Sequence, residues 1–158
     1  ELGERLTRLV SDRQVEAAYG LLSPLLAGRI SFRLLDAIGE KPLCFGVSSM
    51  TGPQILHALQ ACRLVRERHP DVPIIWGGIH PTLLPEQTLK NPFVDIIVSE
   101  EGEATFEELV KALETGAPLR NVQGIWFKEG GKPCFTGHRP FTDFDAQPPL
   151  AYGLFALV

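Results

Sequence analysis

The 158-residue sequence predicts a single α/β domain with a mainly parallel sheet, flanking helices and a C-terminal β-hairpin. Three observations point there. Short apolar runs stop at turns rich in glycine, serine or acidic residues, and stretches of helical periodicity follow. Three such strand–turn–helix units in succession need crossover connections, and crossovers make neighbouring strands parallel. Near the C-terminus, two β-prone runs flank Glu129-Gly130-Gly131-Lys132, which is a hairpin signal.

Composition bounds the function. Hydrophobic residues make up 44% and charged residues 22%, enough apolar material for a packed core. The net charge is -4 and no dense basic run occurs, which argues against nucleic acid as a partner. No apolar run is long enough to span a membrane, and the first residues are charged rather than signal-like. Cys44, Cys62 and Cys134 are too far apart for a metal-ligand motif and too few for a disulfide framework. They are expected to stay reduced and bind no iron, which suits a cytoplasmic setting.

Taken in order, residues 1–40 carry Leu21, Leu22, Leu25, Leu26, Leu34 and Leu35 at helical spacing. They read as a mainly helical segment covering one face of the sheet. The central unit spans residues 41–138. Its first strand is expected over 43–47, ending in a hydroxyl-rich loop. Ser49 or Thr51 can cap the next helix, with Pro53 tolerated in its first turn. Ile55, Leu59, Cys62 and either Leu64 or Val65 form its apolar stripe, Arg63, Arg66 and Arg68 suit its C-terminal dipole, and Pro70 ends it.

The second strand, over 74–76, stops at Gly77 and Gly78 in a tight turn. A short helix at 85–89 is closed by Asn91 and Pro92. The third strand is expected over 94–98, and a helix over 104–113 should bury Phe106, Leu109, Val110 and Leu113 before stopping at Gly116. The hairpin falls near 124–135, with Trp126 packing within it. Residues 139–158, with Pro140, Pro148 and Pro149, read as an extended exit segment.

In an open parallel sheet, ligands sit outside the carboxyl ends of the strands. Three loops should converge there: Ser48, Ser49, Met50, Thr51 and Gly52 in the first; Gly77, Gly78, Ile79, His80 and Pro81 in the second; Glu100, Glu101, Gly102 and Glu103 in the third. Glycine lets a flat ligand approach the backbone closely. Simple helix capping and a plain turn are the alternatives, and solvated capping charge alone accounts for Glu101.

At Gly46-Val47-Ser48-Ser49-Met50-Thr51-Gly52, Trp76-Gly77-Gly78-Ile79-His80-Pro81-Thr82 and Glu101-Gly102-Glu103, the chain resembles the N-terminal cobalamin (B12)-binding domain of B12-dependent radical SAM enzymes. The resemblance covers about residues 42–152. It implies a Rossmann-like (flavodoxin-like) sheet, cobalamin as the cofactor, and a corrin ring over the carboxyl edge. A ring resting on the second turn would need the space over Gly78. The resemblance also implies a radical SAM domain C-terminal to this chain, where S-adenosylmethionine and a 4Fe-4S cluster would bind. That domain's Cys-x-x-x-Cys-x-x-Cys run is not in this sequence, so no catalytic residue is expected here. Two departures stand out. Residues 1–40 do not match the family's early strand and loop. Glu100 occupies a glycine position of the family's third loop, adding bulk and charge near the corrin edge.

Other B12 proteins place a histidine under cobalt in an Asp-x-His-x-x-Gly motif. His57, His69, His80 and His138 have Ile55, Glu67, Gly78 and Thr136 two places earlier, so none fits. His80 lies in a ligand-facing loop, where hydrogen bonding to a corrin amide or to its own turn competes with cobalt ligation. Two other functions compete with a cobalamin module. One is a related scaffold that has lost cobalamin and recognises a substrate or partner. The other is a flavodoxin-like nucleotide binder, which lacks a G-x-G-x-x-G or P-loop run.

Overall fold

The computed structural model describes residues 41–141. The segment over 1–40 and the exit segment beyond residue 141 lie outside the described residues. Five strands form one sheet in the order β1 (Phe45–Ser48), β2 (Ile74–Gly77), β3 (Ile96–Val98), β4 (Ile125–Glu129) and β5 (Lys132–Phe135). The first three are parallel, and β4 and β5 add antiparallel at one edge. Helix α1 (Gln54–Arg68) joins β1 to β2. Two short helices, α2 (Ile79–Leu83) and α3 (Pro85–Leu89), join β2 to β3, and α4 (Glu103–Thr115) leads towards β4. The α/β class, the parallel core and the hairpin all agree with expectation.

Strands β1 and β3 start two residues later than the apolar runs suggest. Partner backbone sets the ladder, not hydrophobicity. The Phe45 N–H donates to the Pro73 carbonyl at 2.9 Å and the Asp95 N–H to the Ile74 carbonyl at 3.0 Å, and regular pairing begins from there.

Alternate residues along each strand bury into opposite faces. Under α1 lie Phe45, Val47, Ile74, Trp76 and Ile97, with Ala58, Cys62 and Val65 of the helix. Under α4 lie Cys44, Ile75, Ile96, Val98 and Ile125, with Leu109 and Ala112. Both faces of β2 are covered, which is why Ile74-Ile75-Trp76 is apolar without alternation. Val65, fully buried, rather than Leu64 completes the α1 stripe.

The expected cap of α1 is corrected. Pro53 occupies the N-cap and no side chain caps the helix. The Ser49 hydroxyl instead donates to the Met50 carbonyl at 3.0 Å, and Thr51 bonds to His80. At the other end Arg66 does more than complement the dipole. Its guanidinium donates to the carbonyls of Pro70 (2.7 Å) and Val72 (3.1 Å) and pairs with Asp95. Asp95 also accepts the Ile74 N–H at 2.8 Å, so one ion pair fastens α1, β2 and β3 together.

Helix α2 is the element that sequence patterning missed. The glycine pair reads as a turn, yet the chain enters a helix directly from Gly78. Pro81 is compatible because first-turn N–H groups have no partner inside a helix. Helix α4 stops at Gly116, whose φ of 68° lets the Ala117 N–H reach back to the Ala112 carbonyl at 2.9 Å. Trp126 stacks on Phe135 within the hairpin, with ring centroids 4.6 Å apart.

Candidate functional site

The three strand-to-helix loops meet at the carboxyl edge of β1, β2 and β3, where a cleft of about 290 Å³ opens on the α4 side of the sheet. Gly46, Ile75 and Gly77 form its floor, and Val98, Gly102 and Phe106 one wall. Among the described residues, a Cβ added at Gly46 would meet nothing within 4 Å. A Cβ on Gly102 would approach Val98 Cγ1 to 3.0 Å. The cleft is therefore shaped by missing side chains and walled by apolar ones. Charge comes from Glu103, in the first turn of α4.

The fourteen residues expected at this edge divide into three groups. Ser48, Gly77, Gly78, Gly102 and Glu103 line the cleft. Met50 and Ile79 stand exposed at the rim, at 56% and 57% of full accessibility, together with Thr51 and Glu100. Gly52 and Glu101 are half-buried beside them. Ser49, His80 and Pro81 are buried within the loops. Gly46, Val47, Ile75, Val98 and Phe106 line the cleft without having been singled out as site residues. Gly46 carried the one legible signal, since a glycine inside a strand marks close backbone approach.

Gly78 lines the cleft but carries a second constraint. Its absent Cβ faces the first loop rather than the space above the turn. A Cβ there would stand 2.8 Å from the Ser49 carbonyl oxygen and 3.1 Å from the Ser49 nitrogen, and φ is +95°. Gly78 is glycine so that the first two loops can touch. Gly77, one residue earlier, also lines the cleft, and its Cβ would make only an ordinary 3.7 Å contact with the Val98 carbonyl oxygen.

His80 also faces inward. Its Nδ1 and the Thr51 hydroxyl share a 3.2 Å hydrogen bond, and its backbone N–H donates to the Ser49 carbonyl at 3.2 Å. The imidazole borders a separate cavity of about 130 Å³, together with Ile55, Leu59 and Trp76 on the α1 side of the sheet. Of the three roles open to His80 from sequence, cobalt ligation, a bond to a corrin amide and a bond within its own loops, the last is the one whose hydrogen bonds the structure contains.

Glu100 adopts φ +60°, the left-handed region where glycine is at ease. Its N–H donates to the Thr82 hydroxyl at 3.0 Å and its carboxylate meets His138 Nδ1 at 2.8 Å. The side chain is thus turned towards the segment after β5. No side chain caps α1 or α4, so the first-turn N–H groups of both helices lie at this edge without a capping side chain. Cys44 and Cys62 pack on opposite faces of the sheet. Among the described residues no group of three or more His, Cys, Asp or Glu side chains could hold a metal ion.

Residues 32–110, half of the chain, match the profile of the B12 binding domain. The chain belongs to the B12-binding domain family. It is 32% identical over 136 residues to an uncharacterized methyltransferase, PH0819, of Pyrococcus horikoshii, an alignment covering 84% of this chain and 29% of that protein. Among solved structures it is similar to the cobalamin-dependent S-adenosylmethionine radical enzyme OxsB with aqua-cobalamin and S-adenosylmethionine bound. The TM-score is 0.59 at 26% identity, over 73% of this chain and 16% of that one. The radical S-adenosylmethionine methyltransferase TsrM from Kitasatospora setae, with cobalamin and a [4Fe-4S] cluster bound, superposes with a TM-score of 0.63 at 18% identity. That match covers 75% of this chain and 23% of the neighbour, and it supports the fold. The B12-binding domain described here thus resembles the cobalamin-binding portion of such enzymes, and it spans less than a third of the length of the curated relatives it matches.

The residues present fit cobalamin. A glycine floor accepts a flat group, apolar walls accept its faces, and helix N-termini without side-chain caps can donate to amide or phosphate oxygens.

Proposed function

We propose that this domain holds cobalamin at the carboxyl edge of its sheet for chemistry carried out by a radical SAM domain C-terminal to it. The observation that supports this most is the cleft over Gly46 and Gly77, built by all three loops of a chain in the B12-binding family. In this reading Ser48, Glu103 and the first N–H groups of α4 hydrogen-bond the cofactor's polar groups. Gly77, Val98 and Phe106 pack against an apolar part of it, and Met50 and Ile79 contact the macrocycle from the rim. The bound cofactor supplies the reactive cobalt, while the protein supplies position and electrostatics. S-adenosylmethionine and the 4Fe-4S cluster belong to the companion domain. Residues 41–138 form the cofactor unit, and residues 139–158 are the link towards that domain.

The test is a titration of the chain with hydroxocobalamin, followed by cofactor absorbance and by quenching of Trp76 and Trp126 fluorescence. Saturable binding of one cofactor per chain is expected. A spectrum and fluorescence that never saturate would favour the cofactor-free scaffold instead. The turning of Glu100 towards His138 argues for the cofactor, because the extra carboxylate does not fill the cleft.

A further inference from the structure

Three contacts join the first and second loops. The Ser49 N–H donates to the Gly77 carbonyl at 2.9 Å, and the Ser49 carbonyl accepts the His80 N–H at 3.2 Å. The third is the bond between the Thr51 hydroxyl and His80 Nδ1. Ser49 and His80 are buried, whereas Met50, between Ser49 and Thr51, is 56% exposed. Met50 is therefore held at both ends by the second loop, while its own side chain is exposed. The Thr51 contact is the one made by side chains alone, and its imidazole half borders the cavity on the side of the sheet away from the cleft.

We propose that Thr51 and His80 form a clasp that sets the first loop against the second, so that His80 is a positioning residue for cobalamin acting through Met50. This rests on the cofactor reading above. The clasp also explains why a hydroxyl residue stands at position 51 although it caps no helix. Without the bond the Thr51 end of the loop is released, Met50 samples other positions, and binding must order it again at an entropic cost.

The experiment uses the whole chain with Thr51→Val, His80→Phe, the double variant and His80→Asn. Valine keeps the shape of threonine without its hydroxyl. Phenylalanine keeps a ring without Nδ1. Asparagine returns a polar group near the Nδ1 position. Amide exchange at Ser49 and His80, whose N–H groups donate across the two loops, is measured without cofactor, and hydroxocobalamin affinity and the bound absorption spectrum are measured with it. Each single loss should speed exchange at Ser49 and His80, whose N–H groups bridge the two loops, and weaken binding about fivefold, the value of one net hydrogen bond. The double variant should be no weaker than the weaker single, His80→Asn should recover most of the affinity, and all bound spectra should coincide. Unchanged exchange in the single variants would overturn the clasp, as would fully additive losses in the double. A bound spectrum altered by His80→Phe but not by Thr51→Val would make His80 a cobalt ligand and overturn it too. A parent chain that takes up no cobalamin refutes the cofactor reading instead, and exchange at Ser49 and His80 then decides the clasp.

Discussion

Gly77 and Gly78 are adjacent, yet the structure assigns them different work, and alanine at each should separate the two. At Gly78 the added methyl must adopt a backbone with φ +95° and would lie 2.8 Å from the Ser49 carbonyl oxygen, closer than real Cβ atoms approach backbone. The left-handed strain costs of order 1–3 kcal/mol. Forcing Ser49 away adds about 1–3 kcal/mol of overpacking. Gly78→Ala should therefore lower unfolding stability by about 2–6 kcal/mol, a large share of a typical domain's total. At Gly77 the methyl meets only the Val98 carbonyl oxygen at 3.7 Å, so stability should change by less than about 1 kcal/mol. Because Gly77 lines the cleft floor, Gly77→Ala should instead weaken cobalamin binding. Urea unfolding followed by circular dichroism gives the stabilities, and hydroxocobalamin titration the affinities. A Gly78→Ala chain as stable as the parent would refute the reading of the loop contact. A Gly77→Ala chain with parental affinity would place the ligand elsewhere.

Three further outcomes can be checked. Glu100→Gly removes a left-handed non-glycine residue at the loss of an exposed pair with His138, and should raise stability by about 0.5–1 kcal/mol in the same urea assay. A clear loss of stability would show that the pair matters more than the backbone. Asp95→Ala strands the Arg66 guanidinium and the Ile74 N–H together and should cost about 2–3 kcal/mol, while Glu67→Ala, which breaks the exposed pair with Arg63, should cost under about 0.5 kcal/mol. Burial pushes the Cys44 thiol up to about 11 and the Cys62 thiol up to about 12, against 9.0 for an unburied thiol. Since the folded values are raised, the neutral thiols contribute full stability below pH 9.0, and that contribution is lost as pH climbs towards 11 and 12. At pH 8 a thiol reagent should label the half-buried Cys134 quickly and the other two only on unfolding. Rapid reaction of all three thiols would contradict the burial.

The sequence alone determined the architecture of residues 41–141 and the edge where the site lies. Ile74-Ile75-Trp76 is apolar on every residue because both of its faces are covered, and such a run ending at glycine can be read without coordinates. Local patterns also gave α1, α4 and the Gly130-Gly131 hairpin, because periodicity and turn chemistry act over a few neighbouring residues. Tertiary structure decided the division of labour within the site. Whether a glycine is spared for a ligand or for Ser49, and whether His80 turns towards cobalt or towards Thr51, depends on groups about thirty positions apart. Glu100 tells the same story: a charge that reads as crowding the cofactor edge is drawn aside by His138, far along the chain. Such contacts are set by how the loops pack once the sheet has formed, and one-dimensional spacing carries no record of them.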